Sequence, residues 1–245
     1  MIAASTYWWT ELPNWGDRLT PFLLERYARI RAVWSDPTNS SLISLGSILE
    51  HMPPLWEGLV AGAGYIDNDS PNHLRRACFL GVRGPLTLKK IGYGNSDSIA
   101  LGDPGLLADE LITLPEKRFD LGILPHVNDH ELNGRPEFRQ YDPLYINPLD
   151  DPFAVLQMIG ECRKIVTSSL HGLIVADAFG IPRRFEPNDR WLANPHEGGL
   201  FKFQDYHQSV GMKLVPGVTG TPIRAQVEDR KHEVHDMLGD LHSWL

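Results

Sequence analysis

His171 is the residue best placed by type and context to do chemistry. It lies in the run KIVTSSLHGLIVADAFGIP, residues 164–182. Imidazole is the side chain whose ordinary pKa lets it exchange protons near neutral pH. Thr167, Ser168 and Ser169 come just before it. Ser168 and Ser169 offer hydroxyls and backbone N–H groups that either hold an anion or only cap a helix. A helix dipole at this position lowers the imidazole pKa unless a bound anion offsets it. Position alone divides His171 evenly between proton transfer and a plain structural hydrogen bond.

Four other segments carry candidate groups. Arg83 in GVRGPLT ends an apolar run before a proline-started helix. Such an arginine grips a phosphate or carboxylate bidentately, or pairs with an acid such as Asp103 or Glu50. In Asn14-Trp15-Gly16-Asp17, Asn14 and Gly16 let backbone approach a substrate, and Asp17 suits an N-cap. His126, after Pro125, closes the apolar run LGIL. Lys202 in FKFQDY supplies a further positive charge, to a cleft or to solvent.

Several chemistries lack their residues. There is no HExxH, no CxxC and no carboxylate-rich loop for a metal, and His232 and His235 share a helix face without further local ligands. No GxxxxGK[ST] phosphate loop and no GxSxG elbow occurs, and the GAG at 62–64 is not a dinucleotide fingerprint.

The elements that must position these residues alternate. Ile165 and Val166 predict a short buried strand, and Leu170, Leu173, Ile174 and Ala178 a helix stopped by Gly180 and Pro182. Further strands are predicted at 3–9, 30–34, 41–45, 59–63, 77–82, 121–124, 144–147 and 183–185. An amphipathic helix is expected through Leu19, Phe22, Leu23 and Tyr27, and others at 86–91, 151–160 and 201–212. A loop is expected at 188–199. In a last helix, from 221 on, Ile223, Val227, Val234, Met237, Leu238, Leu241 and Trp244 form an apolar stripe. Alternation of this kind argues an α/β fold with mostly parallel sheets. The pattern loosens at 103–119, where a domain boundary is expected. The division is an N-terminal Rossmann-like domain at 1–112, a C-terminal one at 113–222 carrying the SLHG run, and a helix at 223–245 packing back on them. In open α/β sheets ligands bind outside the carboxyl ends of the strands, so His171, Arg83, the Asn14–Asp17 loop and His126 fall at ligand-facing edges.

Composition narrows the classes. The chain has 245 residues, 42% hydrophobic and 22% charged, with a net charge of −8. That acidic balance argues against a nucleic-acid partner. Two distant cysteines suggest buried, reduced thiols. No stretch approaches the ~20 apolar residues of a membrane span, and the first residues lack a signal-peptide pattern. A cytoplasmic location is expected, with peripheral contact at the inner membrane face open. Oligomeric state is open too.

The run TSSLHGLIVADAFGIP closely resembles the signature of the polysaccharide pyruvyl transferase family. NWGD, GVRGPLT, ALGDPGLL, LGILPH and FKFQDY resemble that family's segments in the family's order. The resemblance implies two Rossmann-like domains facing a cleft, similar to GT-B glycosyltransferases. It implies transfer of a pyruvyl group from phosphoenolpyruvate to sugar hydroxyls, giving a pyruvate ketal on an exopolysaccharide or its lipid-linked precursor. Phosphoenolpyruvate is then the donor substrate, with no separate cofactor and no metal. His171 matches the family's acid/base candidate. Some members carry a donor-binding arginine where this chain has Ser169, which leaves Arg83 first and Lys202 second to supply the cation. Two alternatives remain: a GT-B nucleotide-sugar glycosyltransferase, with Glu186 as the ribose carboxylate, and a non-catalytic carbohydrate-binding homologue.

Overall fold

Short strands, most of them followed by a turn and a helical segment, assemble into two sheets. The computed structural model describes residues 1–92, 98–129, 131–188 and 199–245. Strands β1 (Ile2–Tyr7), β2 (Ile30–Trp34), β3 (Leu42–Ile43), β4 (Leu59–Ala61), β5 (Cys78–Val82) and β6 (Ala100–Leu101) form a six-stranded sheet in the order β2-β1-β3-β4-β5-β6. Every pairing in it is parallel. Strands β7 (Gly122–Leu124), β8 (Leu144–Tyr145), β9 (Ile165–Thr167), β10 (Arg183–Phe185) and β11 (Thr219–Gly220) form a second sheet in the order β11-β10-β9-β7-β8. Only β11 runs antiparallel to its neighbour.

The two strand orders share one feature. In the first sheet β1 lies between β2 and β3, and in the second β7 lies between β8 and β9. Each sheet thus has a point where its connections part to opposite sides, which opens a crevice at the carboxyl ends of the two central strands.

The main helices are α1 (Thr20–Leu23), α2 (Pro85–Ile91), α3 (Pro136–Arg139), α4 (Pro152–Glu161), α5 (Leu170–Ala178), α6 (Phe201–Ser209) and α7 (Arg224–Asp240). Proline stands at the start of α2, α3 and α4, where its missing N–H costs nothing. Asp151 caps α4, accepting from the N–H groups of Phe153 and Ala154. Helix α7 lies against β5, β6 and the 3-10 helix Pro104–Glu110. One apolar core runs from Leu19 and Leu24 through Val175 to Val234 and Leu238, so it joins elements of both sheets.

Several expectations need correction. The strand expected at 3–9 ends at Tyr7, and that at 41–45 shrinks to Leu42–Ile43. The helix after Asp17 is not uniform: a 3-10 turn, α1 and a π turn follow one another until Arg29 takes a left-handed conformation at φ 54°. The loosened stretch at 103–119 is partly core. Leu106, Leu107 and Ala108 are buried in the 3-10 helix, which packs on α5 and α7. Its Pro104-Gly105 start reads as linker because a 3-10 helix carries no 3.6-residue stripe. Ile223 and Trp244, expected in the last apolar stripe, are exposed. The two-residue strands β6 and β11 are too short to show alternation. Residues 189–198, most of the loop expected at 188–199, lie outside the described residues.

Candidate active site

The β9–α5 turn is built from its hydroxyls. Thr167 Oγ1 donates to the Leu124 carbonyl at 2.6 Å and accepts from the Ser169 N–H at 2.9 Å. Ser168 Oγ accepts from the His126 N–H at 2.8 Å, which ties this turn to the end of β7. Ser169 caps α5, its hydroxyl accepting from the Gly172 N–H at 3.4 Å. His171 is the second residue of α5 and only 5% exposed.

The imidazole is clamped by the loop that follows β1. A Cβ placed on Gly16 would lie 2.0 Å from His171 Nδ1, so only glycine lets that backbone pass. Trp15 meets the ring edge-on, with centroids 6.4 Å apart. The other ring nitrogen, Nε2, is buried and has no hydrogen-bond partner among the described residues. Burial, and then the charges of Lys202 and Arg83, push the His171 pKa down to about 3. The ring is therefore neutral at pH 7.

His171 faces a cleft of about 220 Å³ fed by both sheets. The loop after β1 supplies Trp9, Asn14 and Asp17, and the segment after β3, which runs into the 3-10 helix Leu49–His51, supplies Ser47, Ile48 and His51. From the second sheet come His126, Val127 and Asn128 after β7, and Ser169, Leu170 and His171 after β9. Lys202 of α6 and Ile66 complete the wall. The cleft thus joins the strand-order reversals of the two sheets.

Its charged groups sit far from their ordinary pKa values. Asp17 is raised to about 7 by burial, against the opposing hydrogen bond from Asn14 and the charge of Lys202. Lys202 is lowered to about 8 by burial and by Arg83. His126 is pushed well below its ordinary value by burial and by the neighbouring Lys202 and His171. Its Nδ1 accepts from the Asn128 N–H at 3.2 Å. A lysine, a capped helix N-terminus and a buried neutral imidazole around one small cavity suit an anionic ligand that takes part in proton transfer.

Asn14, Asp17, His126, Ser169, His171 and Lys202 all line this cleft, and Gly16 lies against the His171 ring. Arg83 and Ser168 do not line it. The Arg83 guanidinium is fully buried, pairing with Asp205 at 3.0 Å and donating to Ser47 Oγ and the Tyr65 carbonyl at 2.6 Å each. It stands one residue behind the wall, contributing charge rather than a grip. Asp103 and Glu50, the partners considered for it, are not the ones it uses. The Ser168 hydroxyl is engaged by His126. Asp17 is no N-cap: it opens the 3-10 turn after Gly16, and no side chain caps that turn. Glu186 pairs with Arg135 and Arg184 and is not part of the cleft wall. His232 and His235 are exposed on α7.

Sequence reasoning missed Ser47, His51, Trp9 and Asp205. Ser47 follows a glycine at a strand end, which was a usable signal. Asp205 is 122 residues from Arg83, and nothing local ties the two.

The family model described as polysaccharide pyruvyl transferase matches residues 72–189. That span holds Arg83, His126 and the SLHG run, but not the Asn14–Asp17 loop or Lys202. An uncharacterised protein of Acanthamoeba polyphaga mimivirus is 31% identical over 216 residues, covering 82% of this chain and 72% of that protein. The succinoglycan biosynthesis protein ExoV of Rhizobium meliloti is 28% identical over 236 residues, covering 90% and 69%. A crystal structure of a functionally uncharacterised protein from Klebsiella pneumoniae aligns with a TM-score of 0.47 at 11% identity, covering 87% of this chain and 93% of that one.

Proposed function

The chain belongs to the polysaccharide pyruvyl transferase family, and on that premise we propose that it transfers pyruvate from phosphoenolpyruvate to two hydroxyls of a saccharide, forming a cyclic ketal. The observation that carries this reading is the unpartnered, buried Nε2 of His171 in a cleft that also holds Lys202 and the N-terminus of α5. Phosphoenolpyruvate brings a phosphate and a carboxylate, and both favour a cation and a helix start. In our reading Lys202 and the α5 N-terminus hold the anion, Arg83 lends charge from behind Ser47, and His171 moves protons.

The reaction needs little else. The vinyl carbon C3 takes a proton, C2 takes a hydroxyl oxygen, and a second hydroxyl replaces the phosphate. Each hydroxyl gives up one proton; one proton ends on C3 and one on the departing phosphate. A positioned imidazole contributes to such transfers about 10²–10⁴-fold. Binding of the anion also raises the pKa of His171, offsetting the cations that depress it. We further read the chain as a GT-B-like pair of halves, 1–112 and 113–222, with 223–245 returning to the first. The acceptor is a polysaccharide repeat unit, free or lipid-linked, met in the cytoplasm or at the membrane face. Among the described residues no helix is long and apolar enough to cross a membrane.

The test is direct. Protein, phosphoenolpyruvate and repeat-unit oligosaccharides should release phosphate and add a pyruvate ketal visible by mass spectrometry. Release of UDP or GDP from a sugar nucleotide, without phosphate from phosphoenolpyruvate, would replace this reading with glycosyl transfer.

A further inference from the structure

The buried acids of the first sheet and its surroundings differ in what they do. Asp103 caps the 3-10 helix at Pro104–Glu110, accepting from the Gly105 N–H. Asp205 is engaged by Arg83 and the start of α2. Asp177 pairs with Arg183 through two hydrogen bonds and takes a third from Tyr206. Asp17 is the one carboxyl group among the described residues that line the cleft. Its Oδ2 accepts from the neutral amide of Asn14. Its Oδ1 stands over Gly46, at the end of β3, where a Cβ would come within 2.7 Å. Gly46 also holds φ at 110°, a conformation that favours glycine. Two glycines thus fix the two groups: Gly46 under the Asp17 carboxyl and Gly16 under the His171 ring.

Resting on the pyruvyl-transfer reading, we propose that two groups lining this cleft divide the proton traffic: Asp17 as the acid that protonates C3 of phosphoenolpyruvate, and His171 as the base that takes the proton of the attacking hydroxyl. In the first half the Asp17 O–H proton goes to C3, the acceptor oxygen bonds to C2, and the hydroxyl proton goes to His171. Asp17 is then a carboxylate and His171 an imidazolium. In the second half the C2–O bond to phosphate breaks, and the leaving phosphate takes the His171 proton. The second hydroxyl bonds to C2 and gives its proton to Asp17. Both groups end as they began, and no other co-reactant is needed.

Environment supports the division. Burial keeps the Asp17 proton on up to about pH 7 and keeps His171 unprotonated down to about 3. Environments that push paired groups apart in this way separate acid from base. Lys202 and Asp103 face Asp17 with opposite effects, and the Asp17 charge is felt by Tyr7 at the end of β1. His51 and His171 share its cleft. A protonated Asp17 also removes a negative charge that would repel the donor.

The experiment compares wild type with Asp17→Asn, which keeps shape and hydrogen bonding but carries no acidic proton. With phosphoenolpyruvate and a repeat-unit oligosaccharide that the wild type pyruvylates, kcat should fall about 100-fold or more, with KM for phosphoenolpyruvate changed only a few-fold. The wild-type loss of kcat/KM as pH rises through about 7 should vanish in the variant, leaving only the fall near 8 where Lys202 gives up its proton. A carboxyl 13C NMR titration of the free protein should show the Asp17 signal moving near neutral pH. An Asp17 signal that titrates in the ordinary carboxylate range overturns the proposal, as does a variant with wild-type kcat or one that loses only donor affinity. Wild type that releases no phosphate from phosphoenolpyruvate brings down the pyruvyl-transfer reading and this division with it. Active wild type beside an unimpaired variant sinks the division alone.

Discussion

Two strand–turn–helix corners of this molecule look alike and do different things. At the first, β5 runs through Arg83-Gly84 into α2. At the second, β9 runs through Ser168-Ser169 into α5. Each presents unpaired N–H groups and a positive end. The start of α2 is filled from within: Asp205 accepts from the N–H groups of Leu86 and Thr87 at 2.8 and 3.0 Å and from Thr87 Oγ1 at 2.7 Å, and it pairs with Arg83. The start of α5 opens on the cleft. A helix N-terminus asks for a negative charge but does not say whose. One corner takes the carboxylate of α6 and holds the fold together; the other is left for a ligand.

The difference can be broken at each corner. His171→Ala should lower phosphate release about 10²–10⁴-fold while leaving the unfolding midpoint near wild type; full activity in this variant would remove His171 from the chemistry. Asp205→Ala strands a buried guanidinium and the start of α2. It should cost about 3–5 kcal/mol in denaturant unfolding, with activity lost only as far as the fold is lost. A stable Asp205→Ala protein would mean that the α2 corner is not the brace described.

Acid distinguishes the corners more gently. In the unfolded chain His171 gains its proton near its ordinary value of 6.5, but in the fold only near 3. Between these values the unfolded state binds more protons, so stability falls as pH drops through that window. At pH 5 the loss amounts to roughly 2 kcal/mol. His207, held down to about 4, acts in the same direction. Asp17 acts oppositely: its raised value of about 7 gives stability at low pH that is lost as pH rises through neutrality. Unfolding at pH 7 and 5 should therefore show His171→Asn losing less than wild type on acidification. Smallest of all, Ser169→Ala removes the α5 cap and should cost about 1 kcal/mol, seen as a modest shift in midpoint.

Much of the frame was legible because local rules produce it. The strand at 30–34 falls where Ile30, Val33 and Trp34 placed it, and that at 183–185 falls where it was expected, after the stop at Gly180 and Pro182. Of the two aspartates at the start of α4, Asp150 and Asp151, either of which could cap it from the sequence, Asp151 does, and Gly180 and Pro182 stop α5 where they should. The cleft residues were legible in part for the same reason: all but Lys202 and Ile66 lie in segments that follow a strand, and in parallel sheets strand ends collect at one edge. What failed was reading the partner of each charge. Arg83 looked like a ligand grip because an arginine at a strand end has no local partner. Asp17 looked like a cap because Asp often is one. The 3-10 helix at Pro104–Glu110 looked like linker because it lacks a helical stripe.

By itself, then, the sequence determined the alternation of strands and helices, the hydroxyl turn before His171, and the family signature. All three depend on neighbours within a few residues. Only the tertiary structure decided which helix start stays open, since that turns on Asp205 arriving from 118 residues away. It also decided that Asp17 and His171 meet in one cavity. Burial, which moves their pKa values in opposite directions, is a property of the packed molecule and not of either residue.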